Sequence, residues 1–224
     1  MTVVTWYFDV VSPFAYLQWQ RLKPMRGIAW TFRPVLFAAL LQHYGHCGPA
    51  EFAEKRRFTY RHLQWRAARA GIPLRFPPAH PFNPLPALRL CCVAGNTRQA
   101  IDHAFDFVWR EGRGLVDPDD VSCLAHRLGI DDPAAALANP AAKATLLANA
   151  TGAIADGVFG VPSLVAGGHV FWGEDATDLF LDYLADPGLF DTEAIRRLDA
   201  LPVGAIRKQW QQPTDRVGTN TPPL

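Results

Sequence analysis

The first residues that could do chemistry are a serine and a proline at the end of an apolar segment. Ser12 and Pro13 follow a run of β-branched and aromatic residues, which predicts a strand and then the start of a helix. A serine at this point ordinarily caps the helix, because its hydroxyl accepts a hydrogen bond from a free N–H of the first turn. The same position lies in the positive field of the helix dipole, where an anion such as a thiolate is stabilised. Ser12 is therefore either a cap alone or a cap that also serves an anionic ligand.

The second candidate is the dipeptide Val161-Pro162, which opens a later strand-like segment. A trans proline is the commoner form and would have a structural meaning only. A cis bond would turn the N–H and C=O of Val161 away from the sheet, where they could pair with an extended, peptide-like ligand.

The third candidate is the segment Trp172, Gly173, Glu174 and Asp175. Asp175 precedes a predicted helix and is explained adequately as its cap. As a ligand site, the segment would offer a close backbone approach at Gly173, free N–H groups for a carboxylate, and Asp175 for an ammonium group. An amino acid head group needs this combination.

The elements that would position these residues begin with a β-α-β order. Strands are predicted at residues 3–11 and 28–33, with a helix at residues 13–23 between them. Helical periodicity then takes over, with a proline-rich loop at residues 71–84. The predicted helices of this region are residues 51–70, 86–95, 97–111, 119–128 and 140–156.

Strand character returns near the end of the chain. Residues 161–166 and 169–172 are predicted strands, and the Gly167-Gly168 pair between them is a strong signal for a hairpin turn. Helices are predicted at residues 176–184 and 192–201. The order of elements is therefore β-α-β, then helices, then β-β-α.

Composition and charge exclude several classes of function. Of the 224 residues, 49% are hydrophobic, and 22 Lys+Arg against 21 Asp+Glu give a net charge of +1. This balance is typical of a globular protein and argues against nucleic acid as an obligate partner. The apolar segments are short and interrupted, so no membrane span is predicted. The N-terminus lacks the features of a secretory signal, which predicts a cytoplasmic protein.

The cysteines and histidines indicate neither dithiol chemistry nor a metal site. The four cysteines are Cys47, Cys91, Cys92 and Cys123. They contain no CxxC pair and are predicted to be buried, reduced thiols. His43, His46 and His80 show no metal-ligand spacing, so structural roles are expected for them and no metal is predicted.

Three segments together resemble the 2-hydroxychromene-2-carboxylate isomerase family, which belongs with the kappa-class glutathione transferases and the DsbA-type thioredoxin fold. They are WYFDVVSPFAYL (residues 6–17), PFNPLPALR (residues 81–89) and GVFGVPSLVAGGHVFWGEDATDLFLDYL (residues 157–184). The resemblance spans nearly the whole chain to about residue 184. Its Ser-Pro, Gly-Val-Pro and Trp-Gly-x-Asp motifs are highly specific in this order and spacing.

The resemblance implies an α/β fold class with a thioredoxin-like β-α-β / β-β-α domain that an all-helical insertion interrupts. The thioredoxin-like domain is predicted at residues 1–35 and 158–201, and the helical insertion at residues 36–157. Residues 202–224 are expected to form a flexible tail.

The resemblance also implies site residues for glutathione. Ser12 matches the family's catalytic serine, which hydrogen-bonds the sulfur of glutathione, and Ala15 stands where a disulfide oxidoreductase has its second cysteine. Val161 and Pro162 match the cis-proline motif whose backbone pairs with the cysteinyl part. Residues 172–175 match the segment that holds the γ-glutamyl end.

Two further residues are implied on the substrate side. Asn83 matches the family's asparagine in the substrate pocket. The substrate carboxylate needs a cation, and the candidates are Lys55, Arg56 and Arg57 near the start of the predicted long helix and Arg33 at the end of the second strand, with Arg56 selected for the site. The structural alternative for Arg56 is a place on a solvated helix face.

The implied activity is an isomerisation that uses glutathione as cosubstrate, an aromatic electrophile as substrate and no metal. The thiolate adds to the conjugated hydroxychromene carboxylate, the ring-opened adduct rotates, and elimination gives the trans benzylidenepyruvate. Three alternatives remain: another glutathione reaction (conjugation, dehalogenation or peroxide reduction), DsbA-like peptide or disulfide handling, and glutathione binding without catalysis. Dimers are common in the family, so the resemblance allows a homodimer.

Overall fold

The computed structural model describes residues 3–205, which contain a four-stranded mixed sheet. The strands are β1 (Val3–Phe8), β2 (Ala29–Pro34), β3 (Ser163–Ala166) and β4 (His169–Trp172), in the spatial order β2-β1-β3-β4. β1 runs parallel to β2, whereas β3 pairs antiparallel with both β1 and β4. The predicted α/β class and the predicted order of the strands along the chain are confirmed.

The helix α1 (Pro13–Leu22) follows β1 where the sequence predicts it. Ser12 is its N-cap, and the Ser12 Oγ accepts a hydrogen bond of 3.3 Å from the N–H of Ala15. Pro13 occupies the first helical position, where no N–H is needed. The cap predicted for Ser12 is therefore present, and α1 begins directly at the end of the first strand.

Between β2 and β3, the described chain forms seven α-helices. They are α2 (Phe37–Tyr44), α3 (Ala53–Arg69), α4 (Leu85–Val93), α5 (Arg98–Phe105), α6 (Pro118–Arg127), α7 (Pro133–Ala138) and α8 (Pro140–Ala155), and the π-helical segment Asp106–Arg110 continues α5. The predicted helices in this region are confirmed, as is the loop at residues 71–84. The sequence analysis missed α2 and α7.

The hairpin of β3 and β4 has the tight turn that its two glycines predict. Gly167 and Gly168 have φ angles of 57° and 85°. A two-residue turn that matches the twist of its strands needs positive φ at both positions, which glycine adopts without a steric penalty. The helix α9 (Thr177–Ala185) follows β4.

Helices cover both faces of the sheet. β1 contributes side chains to both of these packed faces, because alternate residues of a strand point to opposite sides. On one face, the rings of Trp6 and Phe8 stack at 4.5 Å, and Trp6 stacks on Trp19 of α1 at 5.4 Å. On the other face, Tyr7 packs in a buried cluster with Leu40 of α2 and Ala153 of α8. β1 therefore lies at the centre of the core and fixes the place where Ser12 emerges.

The chain divides into two compact units, Met1–Ala185 and Asp186–Leu224. The sheet and α1 to α9 belong to the first unit. In the second unit, α10 (Glu193–Asp199) lies within the helix predicted at residues 192–201. Most of the predicted tail, residues 206–224, lies outside the described residues, and the predicted division at residues 36–157 stays a prediction. Within residues 3–205, no helix is both long and apolar enough to cross a membrane.

Candidate active site

A largely apolar cavity of about 270 Å³ opens beside the start of α1. It lies where β1, α1 and the residues before β3 face the proline-rich loop and α2. Three residues predicted for the site line it together: Ser12, Val161 and Trp172. Its apolar wall includes Phe14, Phe37, Leu41 and Phe82.

Ser12 is almost fully buried and faces this cavity from the start of α1. Its backbone N–H donates to the C=O of Asp9 at 3.0 Å, while its Oγ accepts from Ala15. A serine hydroxyl can accept and donate at the same time. Among residues 3–205 no acceptor takes the Ser12 hydroxyl proton, so it is available to a ligand in the cavity.

The peptide bond between Val161 and Pro162 is cis. Its two residues lie just before β3, and Val161 lines the cavity with Ser12. Within the described residues, neither the N–H nor the C=O of Val161 forms a backbone hydrogen bond. The structure therefore has the second of the two alternatives that the sequence left open, with backbone groups free for an extended ligand.

A fully buried glutamine connects α1 to the segment of residues 172–175. The amide nitrogen of Gln18 donates to the C=O of Gly173 at 3.0 Å and to the Thr177 hydroxyl at 3.1 Å. Its Oε1 atom accepts from the indole of Trp6 at 2.7 Å. Gln18 thus fixes the segment relative to the helix that carries Ser12, and the sequence analysis did not identify this residue.

Within that segment, the side chains leave in different directions. Trp172 lines the cavity and is half-exposed, and Asp175 is exposed close to Gly173. Glu174 is buried on a different side, where it pairs with Arg66 and lies 3.9 Å from Arg21. Burial raises the pKa of Glu174, and the two guanidinium groups partly oppose that shift.

Neither residue predicted for the substrate side lines the central cavity. Asn83 is exposed, and its side-chain oxygen accepts a hydrogen bond of 3.1 Å from Leu85 at the start of α4. It lines a separate cavity, although its neighbours Phe82 and Pro84 line the central one. Arg56 is exposed on α3, one helical turn before Tyr60, whose pKa its charge lowers.

The sequence analysis missed a buried carboxylate in the cavity wall. Asp9 follows β1 and is fully buried. Its two carboxylate oxygens accept hydrogen bonds from the N–H of Val11 at 3.0 Å and of Phe37 at 2.8 Å. Burial raises the pKa of Asp9 to about 7, and these backbone hydrogen bonds oppose the shift. An aspartate inside an otherwise apolar strand segment was the available signal in the sequence.

A tyrosine and a histidine form a second polar group in the cavity wall, and they too were missed. The Tyr60 hydroxyl lies 2.6 Å from Nδ1 of His80, and Nε2 of His80 lies 2.8 Å from the C=O of Val11. Burial lowers the pKa of His80 and raises that of Tyr60. His80 therefore approaches the residue that directly precedes Ser12, which its position in the sequence did not indicate.

The cysteines lie elsewhere and have no features of a dithiol site. Cys91, Cys92 and Cys123 are free thiols. Burial raises the pKa of the Cys91 thiol far above its usual range and that of Cys92 to about 11, so both favour the neutral form. The prediction of burial is confirmed for Cys91, whereas Cys92 and Cys123 are only half-buried, and it is wrong for Cys47, which is exposed. Within residues 3–205, no group of three or more His, Cys, Asp or Glu side chains could hold a metal ion.

Taken together, the site offers a hydroxyl donor at a helix N-terminus, free backbone groups beside a cis proline and an apolar wall. A helix N-terminus and a donated hydrogen bond both stabilise an anion. Ala15 stands in the first turn of α1, three residues after Ser12, so no second thiol completes a dithiol pair there. The arrangement suits a peptide-like ligand whose anionic atom lies near Ser12.

Comparison with known proteins agrees with this geometry. Residues 3–185 match the family described as DSBA-like thioredoxin domain. A 2-hydroxychromene-2-carboxylate isomerase of Pseudomonas putida is 31% identical over 77% of this chain and 89% of its own length. One from Sphingobium xenophagum is 27% identical over 82% of this chain and 98% of its own length.

Two further comparisons extend the set. Glutathione s-transferase kappa 2 of Caenorhabditis elegans is 25% identical over 83% of this chain and 92% of its own length. A solved structure of 2-hydroxychromene-2-carboxylate isomerase superposes with a TM-score of 0.70 at 25% identity, and it covers 89% of this chain and 100% of that one. The chain therefore belongs to the DsbA-like thioredoxin family, on the branch that includes the 2-hydroxychromene-2-carboxylate isomerases and the kappa-class glutathione transferases.

Proposed function

We propose that this protein is a glutathione-dependent isomerase that converts 2-hydroxychromene-2-carboxylate-like substrates to the trans benzylidenepyruvate by reversible thiolate addition. The observation that carries the proposal is that Ser12 and Val161 line the same cavity, and that the peptide bond from Val161 to Pro162 is cis. The relatives of 27 and 31% identity that bear the name of this isomerase support it.

The residues at the cavity fit glutathione by their chemistry. Glutathione has a cysteinyl unit at its centre, which the unpaired N–H and C=O of Val161 can bind as an extended strand binds another. When bound, glutathione supplies a thiolate that adds reversibly to a conjugated double bond, so that rotation about this bond becomes possible. No dithiol is needed for this chemistry, which agrees with Ala15 in the first turn of α1.

The role of Ser12 is to keep the thiol deprotonated. A thiol with a pKa of about 8.5 is only a few per cent thiolate at neutral pH. A hydrogen bond donated by the Ser12 hydroxyl, together with the dipole of α1, favours the anion by roughly 1–3 kcal/mol. That corresponds to a decrease of about one to two pH units in the pKa of the thiol.

We assign the γ-glutamyl end of glutathione to the segment of residues 172–175. The exposed carboxylate of Asp175 pairs with the ammonium group, and Trp172 forms the edge of the cavity beside it. Glu174 contributes through its backbone, because Arg66 and Arg21 hold its carboxylate on another side.

We assign the aromatic ring of the substrate to the apolar wall of the cavity. Phe14 and Phe37 lie on this wall, where burying a ring is favourable. Arg56 is the proposed cation for the substrate carboxylate, since its charge already reaches Tyr60 of the cavity wall. Asn83 is assigned to the outer edge, beside the wall residue Phe82.

The free thiols of Cys91, Cys92 and Cys123 agree with a reducing compartment, and we assign the protein to the cytoplasm. The homodimer that the resemblance allows stays a prediction. A measurement of molar mass in solution by light scattering tests it directly.

Calorimetric titration with reduced glutathione tests the proposed site. Wild type is expected to bind glutathione saturably, and Asp175→Ala is expected to lose most of the affinity because the ammonium group loses its partner. Asp182→Ala is the matched control, since it removes another exposed carboxylate, within α9. Binding should be followed by spectroscopic assay of hydroxychromene carboxylate turnover. Absence of wild-type binding at millimolar glutathione would contradict the assignment.

A different glutathione reaction is the second candidate, favoured by the relative named glutathione s-transferase kappa 2. Pocket residues select the electrophile, so the thiolate site does not decide between them. A panel that contains an aryl halide, a hydroperoxide and a hydroxychromene carboxylate separates these reactions. DsbA-like disulfide exchange is tested by insulin reduction, in which no turnover is expected because neither Ser12 nor Ala15 supplies a thiol.

A further inference from the structure

The wall of the central cavity carries two hydrogen-bonded side chains that have no part in binding glutathione as proposed. Tyr60 comes from α3, and His80 comes from the proline-rich loop. Both residues line the cavity that Ser12 also lines. Their rings meet edge to face, with 5.3 Å between the ring centroids and 65° between the ring planes.

Their hydrogen bonds fix the position of the imidazole proton. Nε2 of His80 lies 2.8 Å from the C=O of Val11, and a carbonyl oxygen can only accept, so Nε2 carries the proton. Nδ1 is then the acceptor in a neutral ring, and the Tyr60 hydroxyl 2.6 Å away donates to it. The same hydroxyl also lies 2.9 Å from the C=O of His80, a second acceptor for its proton.

The phenol of Tyr60 is therefore hydrogen-bonded to the unprotonated Nδ1 of His80 at the wall of an apolar cavity. The imidazole can accept a proton at Nδ1, because the resulting cation still donates from Nε2 to the Val11 carbonyl. Charged or titratable neighbours of this pair are few: Arg56 acts on Tyr60, and the cavity wall also contains Asp9 and Glu51. Burial keeps the pKa of His80 below its usual value, so the ring is neutral at pH 7.

We propose that Tyr60 and His80 form a proton relay that opens and closes the hemiketal ring of the substrate. This inference rests on the proposed function, which defines the substrate as a cyclic hemiketal. It concerns oxygen atoms of the substrate and involves neither Ser12 nor the sulfur of glutathione. General acid–base groups of this kind contribute roughly 10²- to 10⁴-fold to a rate.

Ring opening begins with two coupled proton transfers. The hydroxyl on the hemiketal carbon gives its proton to the Tyr60 oxygen while Tyr60 passes its own proton to Nδ1 of His80. The electron pair of that O–H bond forms the ketone C=O, and the bond between the hemiketal carbon and the ring oxygen breaks with its pair on the phenolic oxygen. The phenolate then takes a proton from Tyr60, which recovers one from His80. Nothing is oxidised or reduced.

The variant Tyr60→Phe tests the relay, and Tyr16→Phe is its matched control. Each removes a phenolic hydroxyl that lies close to a backbone carbonyl, but the Tyr16 hydroxyl donates to the C=O of Pro73 and does not line the cavity. With hydroxychromene carboxylate and glutathione, Tyr60→Phe is expected to lower kcat roughly 100-fold with little change in KM. The control should keep its kcat within about two-fold of wild type. Equal kcat values for the two variants would overturn the relay.

A second variant and a spectroscopic measurement keep the test independent of folding defects. His80→Gln can keep the hydrogen bond to Val11 but has no nitrogen that accepts a proton, and it should lower kcat as Tyr60→Phe does. Both variants should lose the decrease of kcat that protonation of His80 causes in wild type at acidic pH, below the usual pKa of an imidazole. In the protein without substrate, ¹⁵N NMR should find the proton of His80 on Nε2; a proton on Nδ1 alone would refute the relay.

The outcomes also separate this inference from the proposed function. If wild type neither binds glutathione nor isomerises the substrate, both are wrong. If wild type isomerises the substrate and Tyr60→Phe does so at the same rate, the proposed function stands and the relay is wrong.

Discussion

Replacing Asp9 with asparagine should change the stability of the protein in a way that depends on pH. The free energy of unfolding of Asp9→Asn, compared with that of wild type at the same pH, should increase as the pH rises. The carboxylate is fully buried, and its hydrogen bonds come from uncharged backbone N–H groups of Val11 and Phe37. Burial raises its pKa to about 7 from an ordinary value of 3.8. The folded protein therefore keeps this proton over a pH range in which the unfolded chain has lost it.

The sign and size of the effect follow from that difference. For an acid whose pKa is raised by folding, the contribution to stability is complete below pH 3.8 and is lost as the pH rises through about 7. At 1.36 kcal/mol per pH unit, the total loss is about 4 kcal/mol. Between pH 5 and pH 8.5, the part that remains to be lost is about 3 kcal/mol.

The variant Asp9→Asn has no charge to bury, so it should not show this loss. Its amide has one oxygen for two N–H donors, which costs roughly 1–3 kcal/mol at every pH. We therefore take the difference between the free energies of unfolding of variant and wild type at each pH. The change of this difference with pH is the informative quantity. Contributions of all other titratable groups cancel in that difference when both proteins unfold by the same two-state transition.

Urea unfolding at pH 5 and pH 8.5 measures this quantity, with Asp182→Asn as a control for an exposed carboxylate. We expect Asp9→Asn to gain about 3 kcal/mol on wild type between the two values, and the control to gain almost nothing. If the difference for Asp9→Asn changes by less than about 0.5 kcal/mol, the carboxylate is not the uncompensated buried charge inferred from its contacts.

Three further variants test the elements that hold the site. Ser12→Ala should lower kcat/KM roughly 10- to 100-fold, because a hydrogen bond to a charged group is lost. It should also lower the free energy of unfolding by about 1 kcal/mol, because the helix loses its cap. An unchanged rate would mean that Ser12 is a cap alone. Gln18→Leu leaves buried groups of Trp6 and Gly173 unpaired, so urea unfolding should show a loss of at least about 1 kcal/mol and calorimetry a weaker affinity for glutathione. Gly160→Ala places a Cβ 2.5 Å from Nε1 of Trp172, so the indole should move. Tryptophan fluorescence should change and glutathione binding should weaken. The free energy of unfolding should change little, because the indole ring is half-exposed.

The parts of the fold that follow from neighbouring residues were predictable. Ser12 and Pro13 define the start of α1, and two glycines define the turn of the hairpin, because each acts on backbone groups within a few residues. The helix α7 has the same kind of signal in Asp132 and Pro133, and its cap is present in the structure, so the sequence could have revealed it.

The helix α2 lacked such a signal for a physical reason. Its N-cap residue, Leu36, makes no side-chain hydrogen bond to the first turn. The first N–H of the helix, that of Phe37, instead donates to the carboxylate of Asp9, which lies far away in the sequence. A cap supplied by a residue distant in the sequence leaves no local pattern, and only the fold brings Asp9 and Phe37 together.

The candidate site combines both kinds of information. Local motifs singled out Ser12, Val161 and Trp172, which line one cavity in the structure, but these motifs do not indicate on which side each neighbouring side chain leaves. Glu174 is directed away from the cavity because Arg66 of α3 and Arg21 of α1 hold it, and both arginines are distant in sequence. In the same way, His80 becomes part of the cavity wall only because its Nε2 atom reaches the carbonyl of Val11. Candidate groups of the site that depend on backbone shape could therefore be predicted from motifs, whereas the titratable groups of the cavity became visible only when distant elements were packed together.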